Sequence, residues 1–148
     1  MQKSSFKIID TLSSRLQITI NVSSSGTFRI IFDRDPVNFE LKKDAIYVYS
    51  PLGTSESCSR EALLYLLEES HDGSFFASIS PVSKDLCLNF VCARADDYEY
   101  FEDKLSSFIR KLRALKSNLS SESFAAAPSP GTAGKASLDD LIFNAISV

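Results

Sequence analysis

Between residues 27 and 51 three short runs alternate apolar and polar side chains, with only brief polar joints between them. In TFRIIFD, Phe28, Ile30 and Phe32 fall on one side and Arg29 and Ile31 on the other. VNFELKK sets Val37, Phe39 and Leu41 against Asn38, Glu40 and Lys42, and AIYVYSP sets Ile46 and Val48 against Tyr47 and Tyr49. A period of two is the pattern of half-buried strands. Joints as short as DRDP, with Pro36 preset for a turn or strand entry, and Asp44 leave room only for an antiparallel meander. Its apolar side must be covered by the rest of the chain.

The flanking segments offer that cover. SSFKIIDTLSSRL, residues 4–16, reads as a first helix in which Phe6, Ile9 and Leu16 form a stripe widened by Ile8 and Leu12. NVSSSG, ending at Gly26, is turn chemistry. After the break SPLGTSESCS, the run SREALLYLLEES predicts a second helix capped by Ser57 or Ser59, with Glu61 suited to its positive end. Leu63, Leu64, Tyr65, Leu66 and Leu67 surround more than one stripe, so this helix needs cover on two sides. HDG turns the chain, and SFFASISPV and DLCLNFVCA predict a hairpin around SKD, with Leu86, Leu88, Phe90 and Cys92 sharing a face. A third helix runs from about Asp97 to Leu115, its acidic start and basic end both complementing the helix dipole.

Residues 119–136 are rich in Ser, Ala, Pro and Gly and read as a flexible linker. SLDDLIFNAISV, residues 137–148, recovers a helical pattern through Leu138, Leu141, Ile142, Ala145 and Ile146. A helix so short is not stable alone in water, so it either frays or docks on its own body, a neighbouring protomer or a partner. The expected fold is α+β, in the order α-β-β-β-α-β-β-α, with a five-stranded antiparallel sheet over residues 1–118 followed by the linker and the docking helix.

Sixteen basic against nineteen acidic side chains give a net charge of −3. That balance argues against nucleic-acid binding, which needs concentrated Lys and Arg. No apolar run approaches the length of a membrane helix, and MQKSSFKIID lacks the apolar core of a secretory signal, so a cytoplasmic location is expected. The three cysteines, Cys58, Cys87 and Cys92, have no metal-ligand spacing, and Cys87 and Cys92 take opposite faces of one strand. Cys58 lies near a helix start, where the dipole can lower a thiol pKa, but an ordinary reduced cysteine is the expectation there. The single histidine, His71, sits in a turn. The acidic pairs Asp33/Asp35, Asp96/Asp97 and Asp139/Asp140 lie in a turn or at helix starts, where carboxylates belong anyway. There is no GxSxG, glycine-rich phosphate loop or HExxH. Nothing points to catalytic residues, a metal or a cofactor, and the expectation is a protein that is not an enzyme.

The tyrosines carry the functional signal. The sheet face turned from the helices should be polar, yet it keeps Arg29, Ile31, Tyr47, Tyr49 and Val91. Tyrosine and arginine are enriched where proteins meet proteins, so this face reads as a binding surface. The apolar second helix points separately to self-association in a two-fold dimer.

Three stretches carry a family likeness: AIYVYSPLG, EALLYLLEESHDGSFFASISPVSKDLCLNF and DYEYFEDKLSSFIRKLRALKSNL, preceded by GTFRIIFDRDPVNFEL. Over residues 4–118 the chain resembles the class I chaperones of bacterial type III secretion, the Tir-chaperone family. The resemblance implies a homodimer built on the second helix and fourth strand, here Ala62, Tyr65, Leu66, Phe75 and Ala77. It also implies a bacterial cytoplasmic protein that works without a nucleotide cycle and holds the N-terminal segment of a secreted effector extended around the dimer. Apolar grooves would take effector side chains at Phe6, Ile9, Arg29, Ile31, Tyr47 and Tyr49, and an effector strand would pair with a free sheet edge. A regulator of the same fold, sequestering a transcription factor or another chaperone, is the alternative. The tail at 137–148 is expected to occupy a groove until an effector displaces it, or to dock on the secretion apparatus.

Overall fold

A computed structural model describes residues 6–54, 56, 58–71, 73–93, 97–120 and 145–147. Their order is α1 (Lys7–Leu16), β1 (Thr27–Phe32), β2 (Asp35–Leu41), β3 (Ala45–Thr54), α2 (Arg60–Glu69), β4 (Phe76–Ile79), β5 (Asp85–Ala93), α3 (Tyr98–Ser120) and β6 (Ala145–Ser147). The strands form one antiparallel sheet in the order β4-β5-β3-β2-β1-β6. The α+β architecture and the five strands read from the sequence are all present.

The alternating runs pair so that their apolar sides coincide. Phe28 faces Phe39, Phe39 faces Val48 and Val48 faces Phe90, one buried row across four strands. The Phe28 and Phe39 rings stack with centroids 4.6 Å apart. Asp33 closes the β1–β2 hairpin at φ 62, a left-handed conformation that the short Asp side chain tolerates and that suits the twist of a two-residue loop. In β3 the register shifts between Pro51 and Gly53, a bulge that lets the strand run on to Thr54.

One face of this sheet is roofed by helices. Phe101, Leu105, Phe108, Ile109, Leu112 and Leu115 of α3 join Ile8, Ile9 and Leu12 of α1 in a single core with the inner strand residues. The Phe90 and Phe108 rings meet at 5.0 Å. α3 outlasts its expected end at Leu115 because Leu119 still packs against the core. The α1–α3 contact is latched by Glu102, whose Oε1 accepts hydrogen bonds from Arg15 Nε (3.0 Å) and the Tyr98 hydroxyl (2.9 Å). Burial and the neighbouring Glu102 carboxylate raise the Tyr98 phenol well above its ordinary pKa.

A second polar staple ties the far end of α3 to the β1–β2 turn. Asp35, largely buried, accepts from Arg113 Nε at 3.0 Å and from Lys116 Nζ at 2.8 Å. Arg113 Nη2 also donates to the Phe32 carbonyl at 3.4 Å. The basic end of α3, read from the sequence as helix electrostatics, therefore has this specific partner, and the Asp33/Asp35 pair is structural.

The tail departs from expectation. Residues 121–144 and 148 lie outside the described residues, and with them most of the expected linker and docking helix. Residues 145–147 are a strand rather than part of a helix, pairing Phe32 with Ala145, Ile31 with Ile146 and Ile30 with Ser147. The physical reason lies in β1, whose outer backbone groups need partners that a strand supplies and a helix does not.

Candidate interaction surfaces

Among the described residues, two surfaces gather several solvent-exposed apolar groups. The first is the sheet face turned away from the helices. Strand register assembles there a row of Arg29, Asn38, Tyr49 and Asn89, each opposite the next across β1, β2, β3 and β5. A neighbouring row carries Glu40, Tyr47 and Val91. Tyr47 is 39% exposed and Val91 37%, while Tyr49 and Ile31 are half-buried. Arg29 Nε donates to Asn38 Oδ1 at 2.8 Å, so the guanidinium is held along the sheet and not free in water. Beside this row a cleft of about 520 Å³ is lined by Asn21, Val22, Ser23, Thr27, Arg29, Asn38 and Tyr49, among others. A ridge of phenol rings next to an oriented guanidinium and amide suits a polypeptide, offering apolar area with donors and acceptors at its margin.

Toward β4 the same face closes on itself. Asn89 Nδ2 donates to the Phe76 carbonyl at 3.0 Å and to Ser78 Oγ at 2.8 Å, pinning the short β4 to β5. Cys87 and Asn89 are consequently buried even though they point away from the helices.

The second surface is the free side of α2. Ser59 caps the helix, its Oγ accepting from Ala62 N–H at 3.1 Å. The Ser70 hydroxyl at the other end donates to the Leu66 carbonyl (2.7 Å) and accepts from Ala77 N–H (3.0 Å), joining α2 to β4. This seats Ala62 and Leu66 inward and leaves Leu64 47% and Leu67 61% exposed. Glu68 and His71 complete a shallow depression of about 490 Å³ with those two leucines. On β4, the other edge of the sheet, Ile79 is half exposed as well.

Of the residues singled out from the sequence, Arg29, Ile31, Tyr47 and Tyr49 do share one face. Ile9 does not join them: it is buried under α1 in the core, and Phe6 is half-buried against that same core. Ala62 and Leu66 are likewise buried within the protomer and form no part of its surface. Tyr65 and Ala77 are half-buried, and Phe75 packs on Phe90 and Phe108. On α2 and β4, Leu64, Leu67 and Ile79 are exposed residues that sequence reasoning did not select as site residues. Positions 62–67 of α2 are apolar or aromatic throughout, and only the seat on β4 distinguishes the two sides.

The remaining candidates are chemically quiet. Cys58 donates weakly to the Thr54 carbonyl (3.6 Å), and burial pushes its thiol pKa up, opposite to dipole activation. Burial does the same to Cys87. Among the described residues no group of three or more His, Cys, Asp or Glu could hold a metal ion, and no helix is long and apolar enough to cross a membrane.

No protein-family model and no curated protein matches the sequence. Solved structures do match in shape. A chain of the ExsC–ExsE complex superposes with a TM-score of 0.70 at 13% identity, covering 83% of this chain and 100% of that one. For the HopA1–SchA chaperone–effector complex the TM-score is 0.65 at 12% identity, covering 79% and 99%. The Yersinia pestis type III secretion chaperone SycH, solved in complex with a stable fragment of YscM2, gives 0.60 at 14% identity, covering 77% and 98%. The chain therefore has the fold found in type III secretion chaperones.

Proposed function

We propose that this protein is a type III secretion chaperone, a non-enzymatic cytoplasmic dimer that holds the extended N-terminal segment of a secreted effector. The observation that carries this is the band of Arg29, Ile31, Tyr47, Tyr49 and Val91 left open on a fold shared with chains of chaperone–effector complexes. An extended polypeptide meets such a face on favourable terms. It lays apolar side chains on the tyrosine rings, and its backbone finds donors and acceptors at Arg29 and Asn38. Holding the segment this way keeps it unfolded and unaggregated with no energy source but binding.

Self-association uses the other surface. Leu64, Leu67 and Ile79 on α2 and β4 meet their copies across a two-fold axis, with Tyr65, Phe75 and Ala77 beneath them. Burying one such leucine contributes about 1.5–3 kcal/mol. Two from each protomer are enough to offset an association cost of several kcal/mol.

The test is light scattering on the full chain purified from its host with secretion induced, and mass spectrometry of what co-elutes. The expected result is a dimer bound to one polypeptide whose N-terminal segment resists protease only in the complex. A monomer that carries no polypeptide would refute the proposal.

A further inference from the structure

The outer edge of β1 is already occupied, and by the chain's own tail. β1 is six residues long, yet β6 pairs with only Ile30, Ile31 and Phe32. The two-residue hairpin makes Phe32 and Asp35 a hydrogen-bonded pair. By alternation Phe28, Ile30 and Phe32 turn their backbone groups to β2, and Thr27, Arg29 and Ile31 turn theirs outward. Two bonds agree with this: the Thr27 carbonyl accepts from Ser23 N–H at 2.9 Å, and Thr27 N–H donates to Ser23 Oγ at 3.0 Å, both on the outer side. Ile31 is paired with Ile146. Arg29 is the outward residue that β6, as far as Ser147, does not reach.

We infer that the chain regulates this edge with its own tail: residues 145–147 close it in the free chain as a displaceable internal strand and must leave before an extended client segment can pair with β1, the last clause resting on the chaperone reading. Three observations support a tail that closes the edge and can leave it. Within residues 145–147 the register provides one hydrogen-bonded pair, Ile31 with Ile146, a weak hold on the edge. A strand in the β6 direction that continues beyond Ser147 passes Arg29, which lines the 520 Å³ cleft, so edge and cleft form one continuous track. Residues 121–144 between α3 and β6 have a contour of roughly 80 Å, ample for the tail to leave the edge without disturbing α3.

The same alternation supplies both the disruptive variant and its control. Ile146 is the β6 residue whose N–H points at β1, so Ile146→Pro removes the ladder donor. The Ser147 N–H points away from β1 and takes no part in the ladder to it, so Ser147→Pro should be tolerated. Amide exchange at Ile31 should speed up severalfold in Ile146→Pro and stay at the wild-type rate in Ser147→Pro. A synthetic peptide of residues 141–148, LIFNAISV, should restore protection at Ile31 in Ile146→Pro. It should bind that variant roughly fivefold or more tighter than wild type, where it competes with a tethered copy at about millimolar effective concentration. Unchanged exchange at Ile31 in Ile146→Pro would overturn the inference, as would equal peptide affinity for the variant and wild type. Protection in wild type that falls on dilution would also overturn it, by assigning the edge to a second copy's tail. Neither arm uses a client, so the tail's hold on the edge and the chaperone reading fail separately.

Discussion

At the scale of single residues, Asp35 has the most testable consequence. Burial by itself would raise its carboxyl pKa, but the hydrogen bonds and charges of Lys116 and Arg113 outweigh burial and hold it below the ordinary 3.8. A lowered folded-state pKa means the staple is fully present above the unfolded value and is lost as pH falls through the folded one. Asp35→Asn should therefore cost about 2 kcal/mol at neutral pH. In urea melts across a pH series, that difference should shrink on the acid side of the ordinary aspartate range; a constant difference would show that the charge is not the source. Tyr47 and Tyr49 make the opposite kind of prediction. Replacing both with alanine should change stability by less than about 1 kcal/mol, because neither ring is part of the core. Affinity for the proposed effector, measured by calorimetry, should nevertheless drop by about 2 kcal/mol or more. The alternation of AIYVYSP was enough to put both rings on one face. It did not reveal that Asn38 would fix the Arg29 guanidinium beside them, since that contact depends on the register between β1 and β2.

At the scale of elements, α2 separates packing from association. Leu66 is 2% exposed, whereas Leu67, the next residue, is 61% exposed. Leu66→Ala should destabilise the protomer by about 3 kcal/mol, with loss of thermal stability whatever the oligomeric state. Leu64→Glu with Leu67→Glu should leave the far-ultraviolet circular dichroism of the protomer intact and convert the proposed dimer to a monomer in light scattering. A double variant that stays dimeric would move the interface elsewhere. The sequence marked α2 as a helix needing cover on two sides, and one covered and one bare side is the outcome. Which leucines take which side was hidden because all the candidates are apolar. The choice is made by contacts distant in sequence, such as Ser70 with Ala77, which fix the rotation of α2 over β4.

For the whole molecule, the core joins α1, α3 and the inner sheet residues in one continuous cluster, so the protomer should unfold as a unit. If that protomer is dimeric, its melting temperature should rise with protein concentration, because association stabilises the folded form by mass action. Scanning calorimetry over a hundredfold concentration range checks this, and a concentration-independent midpoint for wild type would argue for a monomer. The Leu64→Glu, Leu67→Glu protein should lose the dependence while retaining binding at the tyrosine face, since the two surfaces lie on different sides of the sheet.

The order of helices and strands, the side of each strand that is buried and the tyrosines on the opposite side were all determined by local pattern, because a period of two or 3.6 is a property of neighbouring residues. Three features needed the folded chain: the Asp35 staple to Arg113 and Lys116, the bare side of α2, and the strand at 145–147 where helical spacing had pointed to a helix. Each joins groups far apart in the chain, and the tail shows why that matters. Its apolar spacing is compatible with a helix when considered alone, but the outer edge of β1 presents unpaired backbone groups that reward an extended conformation. Secondary structure at 145–147 is therefore set by the surface it meets, which no window of local sequence contains.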